Sequence, residues 1–169
     1  MVTAAAHRCG KQLVRSLAEE GYDLAICSLA VLASRVKTAE ALGRRACALR
    51  LFTTAPVSAV AVVDEVHRRL GPICALIHID GDALLASGTL DATSSAALPD
   101  LLRSGGTLLF LCEEPRSTPP KIDGIVVIVL SVLGKAAPQQ VARAVMTLLR
   151  ERQSGCYAMR NGQALERVG

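Results

Sequence analysis

Short apolar runs alternate with amphipathic segments along most of this chain. The apolar runs predict strands at residues 23–27, 46–52, 73–79, 107–112 and 125–132, with a strand end before residue 4 and a closing strand at 156–160. Both faces of these strands are apolar, which is typical of strands buried between two layers of helices. The pattern therefore predicts an α/β fold, a doubly wound parallel sheet of six to seven strands.

The amphipathic segments predict the helices between those strands. The first helix covers residues 10–20 and ends at Gly21, the second ends near Leu42, and a short one covers 98–103. A third helix starts at Pro56 and a last one at Pro138. In the helix that starts at Pro56, the residues expected to face inward are Val57, Val60, Val63, Val66 and Leu70. In the last helix, they are Val141, Ala144, Val145, Leu148 and Leu149.

Length and composition fit a single domain over residues 1–169, with no visible repeat or linker. Apolar residues make up 51% of the chain and only four residues are aromatic, so Ala, Val, Leu and Ile must build the core. The net charge of +4 is spread without a block of like charges. A basic stripe and stacking aromatics are both missing, so the charge permits contact with RNA or anionic surfaces, including nucleic acid within a larger assembly, but predicts neither.

The longest apolar run, IVVIVLSVL, is too short for a membrane helix, and no membrane span is predicted. Residues 1–18 carry Arg8, Lys11 and Arg15 and no acid, as in a mitochondrial presequence, but the same stretch is needed as the first turn and helix of the domain. The six cysteines form no Cys-x-x-Cys pair, so no metal site is predicted. Buried, reduced thiols in an intracellular compartment are expected, with cytoplasm and mitochondrial matrix both open.

Three segments carry a resemblance to a known family. They are TAAAHRCGKQLVRSLAEEGYDLAI, ALRLFTTAPVSAVAVVDEVHRRLGPICALIHIDG and GKAAPQQVARAVMTLLRERQSGCYAMRNGQ. In this order they resemble the short-chain dehydrogenase/reductases, and the first is closest to the pteridine-reductase branch. The resemblance implies a Rossmann-like fold, an NADPH-dependent carbonyl or pteridine reductase ancestry, and a catalytic set of Ser, Tyr and Lys.

The cofactor residues that the resemblance implies are only partly present. Thr3, Arg8, Gly10 and Gly81 match the family pattern, and they are the candidate cofactor-binding residues, in vestigial form. Ala4 replaces a glycine of the phosphate-binding turn, which crowds the site. Leu29, Ala30 and Val31 align with the residues that clamp the extra phosphate of NADPH in the pteridine-reductase branch. Phe52 aligns with an aspartate of the family. We therefore expect no bound cofactor, or only weak binding.

The catalytic set departs further from the family. Cys112, Glu113 and Glu114 stand where the serine is expected, and neither Tyr22 nor Tyr157 has a lysine four residues later. The lysine of that motif lowers the tyrosine pKa so that the tyrosine can protonate the substrate. The segment between the fourth and sixth strands is also short, so two family helices are expected to be shortened or missing. No catalytic residue is predicted.

Two other groups of residues are candidates for chemistry. Cys112 could be a nucleophile at a strand end, but its acidic neighbours would raise the thiol pKa. His78 with Asp80 and Asp82 could form an acid/base or metal site, but three ligands in one turn need a distant partner that the sequence does not show. Solvated loop residues are the preferred interpretation of the His78 cluster.

These observations leave two hypotheses. The first is a pseudoenzyme that serves as a structural or interaction subunit of a larger assembly, such as an organellar ribonucleoprotein or an enzyme complex. The second is a minimal NADP(H)-dependent carbonyl or pteridine reductase with an unrecognised acid. The first rests on the apolar strands four to six, which the shortened segment would leave uncovered for another protein chain to pack on. The alternative is that the remaining segment folds over this face.

Overall fold

The structure, a computed structural model, describes residues 1–29, 32–50, 56–79, 91–115 and 118–168. This part of the chain forms one sheet of strands β1 (Val2–Thr3), β2 (Leu24–Ser28), β3 (Ala46–Arg50), β4 (Ala75–Ile79), β5 (Thr107–Cys112), β6 (Val126–Leu133), β7 (Gly155–Arg160) and β8 (Glu166–Val168). Its helices are α1 (Gly10–Glu19), α2 (Ala33–Ala41), α3 (Pro56–Leu70), α4 (Ala92–Ser104) and α5 (Pro138–Glu151). None of the described helices is long and apolar enough to cross a membrane.

The strand order is β3-β2-β1-β4-β5-β6-β7-β8. Strands β1 to β7 run parallel, with Val2 opposite both Ile26 of β2 and Ile77 of β4, and β8 pairs antiparallel with β7. The chain order reverses between β1 and β4, which is the switch point of a doubly wound sheet. The predicted α/β Rossmann-like fold is confirmed. The sheet has one strand more than the six to seven predicted, because β8 is three residues long and begins with Glu166 and Arg167.

Two hydrophobic cores cover the two faces of the sheet. On one face, α1 and α5 pack through residues such as Leu13, Leu17 and Leu148. On the other face, α3 and α4 pack through residues such as Val66 and Leu101. The five residues predicted to face inward in α5 are all buried, which confirms that helix and its apolar face.

The apolar face of α3 is rotated from the predicted one. Val63 and Val66 are buried as expected, but Val57 is 84% exposed and Val60 is 52% exposed, so that part of the prediction is wrong. A row of residues three apart turns by about 60° around the helix at each step, because a helix has 3.6 residues per turn. Val57 therefore lies opposite Val66. The inward face is completed by Ala59 and Val62.

Helix α4 is thirteen residues long, more than twice the predicted 98–103. Asp91 caps it by accepting hydrogen bonds from the amides of Thr93 and Ser94, and it ends at Gly105 in the left-handed conformation. Asp100, inside α4, accepts a hydrogen bond of 2.8 Å from the amide of Ile73. The serines and the internal proline of this segment hid the helix from a periodicity argument.

The longer α4 changes the picture of strands β4 to β6. Ala97 and Leu101 pack on the same face as Leu76, Leu108 and Val127, and all five residues are at most 2% exposed. The expectation that this face is uncovered is therefore wrong, because the chain's own α3 and α4 cover it. The packing of another protein chain on this face stays a prediction, but its main physical argument, an uncovered apolar face, no longer applies.

All six cysteines are free thiols. Five of them are buried as predicted, and Cys74, just before β4, is exposed. Burial raises the pKa of the Cys27 thiol to about 12, so this group behaves as a small apolar side chain.

Candidate functional site at the carboxyl edge of the sheet

Ligands of doubly wound sheets bind outside the carboxyl ends of the strands at the switch point. Here that place lies above β1 and β4, where the turn of residues 4–9 joins β1 to α1. The turn is held by backbone hydrogen bonds from the amide of Ala5 to Cys27 (3.1 Å), from His7 to Ala4 (3.0 Å) and from Gly10 to His7 (2.9 Å). The candidate site is therefore built on a rigid first turn.

Ala4 has a left-handed backbone conformation, which glycine adopts without strain. Its φ is +47°, and this region costs an alanine about 1 kcal/mol. The turn therefore holds a glycine-like conformation, with strain at Ala4.

Gly10 is the residue of the turn that has to be a glycine. A Cβ atom placed there would overlap the carbonyl oxygen of Ala5 and the Nη1 atom of Arg35. The Ala5 carbonyl cannot move freely, because the amide of the same residue is bonded to β2. Gly10 therefore allows both the closure of the turn and the approach of Arg35.

Arg35 is a candidate site residue that the sequence argument missed. It lies in the first turn of α2 and reaches back over the β1–α1 turn, where its Nη2 atom is 3.4 Å from the carbonyl oxygen of Ala6. Its Nη1 atom is buried and has no hydrogen-bond partner among the described residues. Burial lowers the pKa of the Arg35 guanidinium. Leaving a buried donor without a hydrogen-bond partner costs free energy, and the partly exposed remainder of the guanidinium is a positive charge available to an anion.

Arg8 and His7 point from the turn towards the end of β5. The Arg8 guanidinium lies 3.8 Å from a carboxylate oxygen of Glu113, and the His7 Nε2 atom lies 3.7 Å from the same oxygen. All three side chains are at least partly exposed, so these ion pairs are weak. They place Glu113 across the edge of the sheet, beside the β1–α1 turn.

His78 is buried, and the prediction that it is a solvated loop residue is wrong. In β4 its ring bonds Thr3 through Nδ1 (2.7 Å) and Ser94 through Nε2 (2.9 Å), and it stacks on Phe110. Burial lowers its pKa to about 4, although Asp91 opposes this effect. The neutral ring ties β1, β4 and α4 together. Its position inside the predicted strand 73–79 was the signal that pointed to burial.

The other predicted site residues are placed as follows. Thr3, Arg8 and Gly10 meet at the first turn, but the Thr3 hydroxyl is 2.7 Å from His78 and the residue is only 2% exposed. Gly81 lies outside the described residues, as do Asp80 and Asp82. In the described part of the chain, His, Cys, Asp and Glu form no group of three or more that could hold a metal ion.

The described residues at this edge include neither tyrosine. Tyr22 lies before β2, at the opposite edge of the sheet. Tyr157 is buried inside β7, and its hydroxyl donates to the carbonyl oxygen of Gln153. Cys112 is only 1% exposed, which leaves its thiol little access to a substrate. A proton donor at this edge would therefore have to be another group.

Comparison with protein-family models and with curated proteins found no match to the sequence. Many solved structures do match. An alcohol dehydrogenase from the archaeon Thermococcus sibiricus, complexed with 5-hydroxy-NADP, aligns with a TM-score of 0.74 at 19% identity over 98% of this chain and 97% of its own. A short-chain type dehydrogenase/reductase from Mycobacterium marinum aligns with a TM-score of 0.74 at 15% identity over 95% and 92%. This chain has the short-chain dehydrogenase/reductase fold.

Acetoin dehydrogenase from Enterobacter cloacae is a further similar structure, with a TM-score of 0.75 and 17% identity over 95% of this chain and 94% of its own. These identities are low, so the likeness concerns the fold. The closer resemblance to the pteridine-reductase branch, the loss of family helices and the pseudoenzyme reading stay predictions. One of these similar structures is a complex with 5-hydroxy-NADP. The comparisons therefore do not support the expectation that this chain binds no nucleotide.

Proposed function

We propose that this chain binds NADP(H) at the β1–α1 turn and acts as a minimal oxidoreductase. The observation that carries the proposal is the position of the Arg35 guanidinium over the β1–α1 turn, with Nη2 3.4 Å from the carbonyl oxygen of Ala6 and Nη1 packed against Gly10. In dinucleotide-binding folds an arginine near this place accommodates the 2′-phosphate of NADP. The likeness to an alcohol dehydrogenase complexed with 5-hydroxy-NADP supports a nucleotide on this fold.

The residues present fit a phosphate-bearing cofactor. Helix α1 is a ten-residue helix that starts at Gly10, and its N-terminus favours an anion. The amides of His7 and Gly10 are bonded within the turn, and the Cys9 amide faces the His7 ring. The backbone thus has fewer free donors than an open phosphate-binding turn, so Arg35 should supply a large share of the affinity.

Replacing Arg35 tests this proposal. We expect Arg35→Ala to weaken NADP⁺ binding by about 10- to 100-fold, the effect of losing charge-assisted hydrogen bonds of about 1.5–3 kcal/mol. NAD⁺ lacks the 2′-phosphate, so its binding should change much less. Calorimetric titration of both nucleotides measures the two effects.

Arg44→Ala is the matched control. Arg44 also has a buried nitrogen without a partner among the described residues, but it lies before β3 and bonds the carbonyl oxygen of Gly21, at the opposite edge of the sheet. This variant should bind NADP⁺ as the parent chain does. An equal loss in both variants, or an unchanged affinity in Arg35→Ala, would contradict the proposal.

The reaction would need a proton donor that replaces the missing tyrosine. NADPH supplies a hydride when it is bound. On this edge His7 is suited to hold the proton, because its Nδ1 atom faces the amide of Cys9 and its Nε2 atom faces Glu113. An imidazole can act as a general acid. His7 would then protonate the carbonyl oxygen of a substrate that displaces Glu113.

A second candidate function is binding without turnover, which the absence of a Tyr-x-x-x-Lys pair favours. The two functions are separated by following NADPH oxidation with dihydropteridines, quinones and aldehydes. The reductase reading predicts turnover above the blank that falls at least tenfold in His7→Gln while NADP⁺ affinity stays unchanged. Tight NADP⁺ binding without any turnover would instead establish the non-catalytic function.

A further inference from the structure

A basic groove runs along the outer side of α1. Its cavity of about 410 Å³ is lined by Arg8, Lys11, Gln12, Arg15, Thr38, Pro138 and Gln139. Helix α2 supplies Thr38 on one side, and the start of α5 supplies Pro138 and Gln139 on the other. The three charged residues of the lining are all cations.

The acidic neighbours of the groove neutralise it only in part. Arg15 donates through Nε to Glu19 on its own helix (2.9 Å), and Arg8 lies 3.8 Å from Glu113. Lys11, between the two arginines, makes no ion pair with a described residue. Exposed pairs of this kind contribute little energy and are exchanged readily for a stronger anion. The groove therefore keeps a net positive potential along its length.

The spacing of the cations suits a linear array of phosphates. Lys11 and Arg15 are four residues apart on α1, which places them about 6 Å apart along the helix axis. Arg8 extends the row towards the carboxyl edge of the sheet. The side-chain amides of Gln12 and Gln139 add neutral donors that can bond phosphate oxygens, whereas the Thr38 hydroxyl already donates to the carbonyl oxygen of Ser34 (3.0 Å).

We propose that this groove binds a linear oligophosphate, whose phosphates bridge Arg8, Lys11 and Arg15. The same chemistry is found in free polyphosphate and in the backbone of a single-stranded nucleic acid. With no aromatic side chain in the lining, bases would not be stacked and binding would be independent of sequence. The proposal uses Lys11 and Arg15, which have no part in the proposed NADP(H) site.

The test is binding of sodium tripolyphosphate and of a labelled twelve-nucleotide single strand to the full chain and two double variants. Lys11→Gln/Arg15→Gln should lose at least tenfold in affinity for both probes. Its slope of log K against log salt for the oligonucleotide should fall by about 1.4, since each lost phosphate contact removes about 0.7. Lys121→Gln/Arg68→Gln is the matched control, because it also removes one lysine and one arginine and neither residue lines the groove. Arg68 pairs with a glutamate of its own helix, as Arg15 does.

The outcomes separate the possibilities. At least tenfold tighter binding of the oligonucleotide than of tripolyphosphate identifies a nucleic-acid backbone as the ligand, and the reverse identifies free polyphosphate. Equal losses in the two double variants, or polyglutamate of equal charge binding as tightly as the phosphates, would overturn the proposal. NADP⁺ affinity should be unchanged in Lys11→Gln/Arg15→Gln, so this test fails or succeeds separately from that of the proposed function.

Discussion

Gly10→Ala should destabilise the chain by about 2–3 kcal/mol, the cost of forcing extra volume into a packed position. The new Cβ atom would overlap the Ala5 carbonyl oxygen, which is fixed because the Ala5 amide bonds Cys27 of β2. It would also push away the Arg35 guanidinium, so NADP⁺ affinity should fall as well. Urea unfolding followed by circular dichroism measures the change in the free energy of unfolding.

Ala4→Gly in the same turn is the matched control, and it should act in the opposite direction. Glycine removes the strain of a φ of +47°, while its greater freedom in the unfolded chain offsets part of the gain. We expect a net stabilisation below about 1 kcal/mol. A stable Gly10→Ala variant, or a strongly destabilised Ala4→Gly variant, would show that the turn is not built as described.

Acid should destabilise the chain through His78 by up to about 3 kcal/mol. Its pKa of about 4 in the folded state lies about 2.5 below the ordinary 6.5, and each unit corresponds to about 1.36 kcal/mol. The unfolded state therefore binds more protons between these values. This contribution to stability is fully present above pH 6.5 and is lost as the pH falls towards 4.

His78→Asn isolates this effect from other acid-sensitive groups, such as Glu65, whose pKa is held at about 2 by hydrogen bonds from Arg68 and Arg69. The variant should be less stable than the parent at pH 7, but its stability should fall less between pH 7 and pH 4. Parallel pH profiles for the parent and His78→Asn would contradict the buried, neutral ring.

Hydrophobic periodicity predicted the parts of the fold in which local pattern and tertiary burial agree. Strand β5 was predicted at its observed bounds, Thr107–Cys112, and all five residues predicted to face inward in α5 are buried, although Ala142 and Met146 of that face were missed. Helix α4 was predicted too short, because Pro99 and two serines weaken its periodicity while the Asp91 cap and packing on α3 stabilise it. The consequence was a wrong expectation of an uncovered sheet face.

From the sequence, only residues of the β1–α1 turn and its immediate ends could be assigned to the candidate site. Thr3 and Gly10 were found from the sequence, whereas Arg35 is 25 residues from Gly10 along the chain and meets it only through the packing of α2 beside α1. The sequence argument placed the phosphate contacts directly after β2, at residues 29–31. Residues 30 and 31 lie outside the described part of the chain. His78 was misjudged because its hydrogen-bond partners come from β1 and α4, far away in sequence.

The proposed nucleotide site is tested most directly by mapping NADP⁺ binding with two-dimensional amide NMR spectra of the labelled chain. We predict saturable shifts at residues 4–10 and 33–36, with the amides of Gly21 and Arg44 unchanged. These two residues lie at the opposite edge of the sheet and serve as the internal reference. Spectra that do not respond to millimolar NADP⁺, or shifts confined to the opposite edge, would contradict a dinucleotide site at the β1–α1 turn.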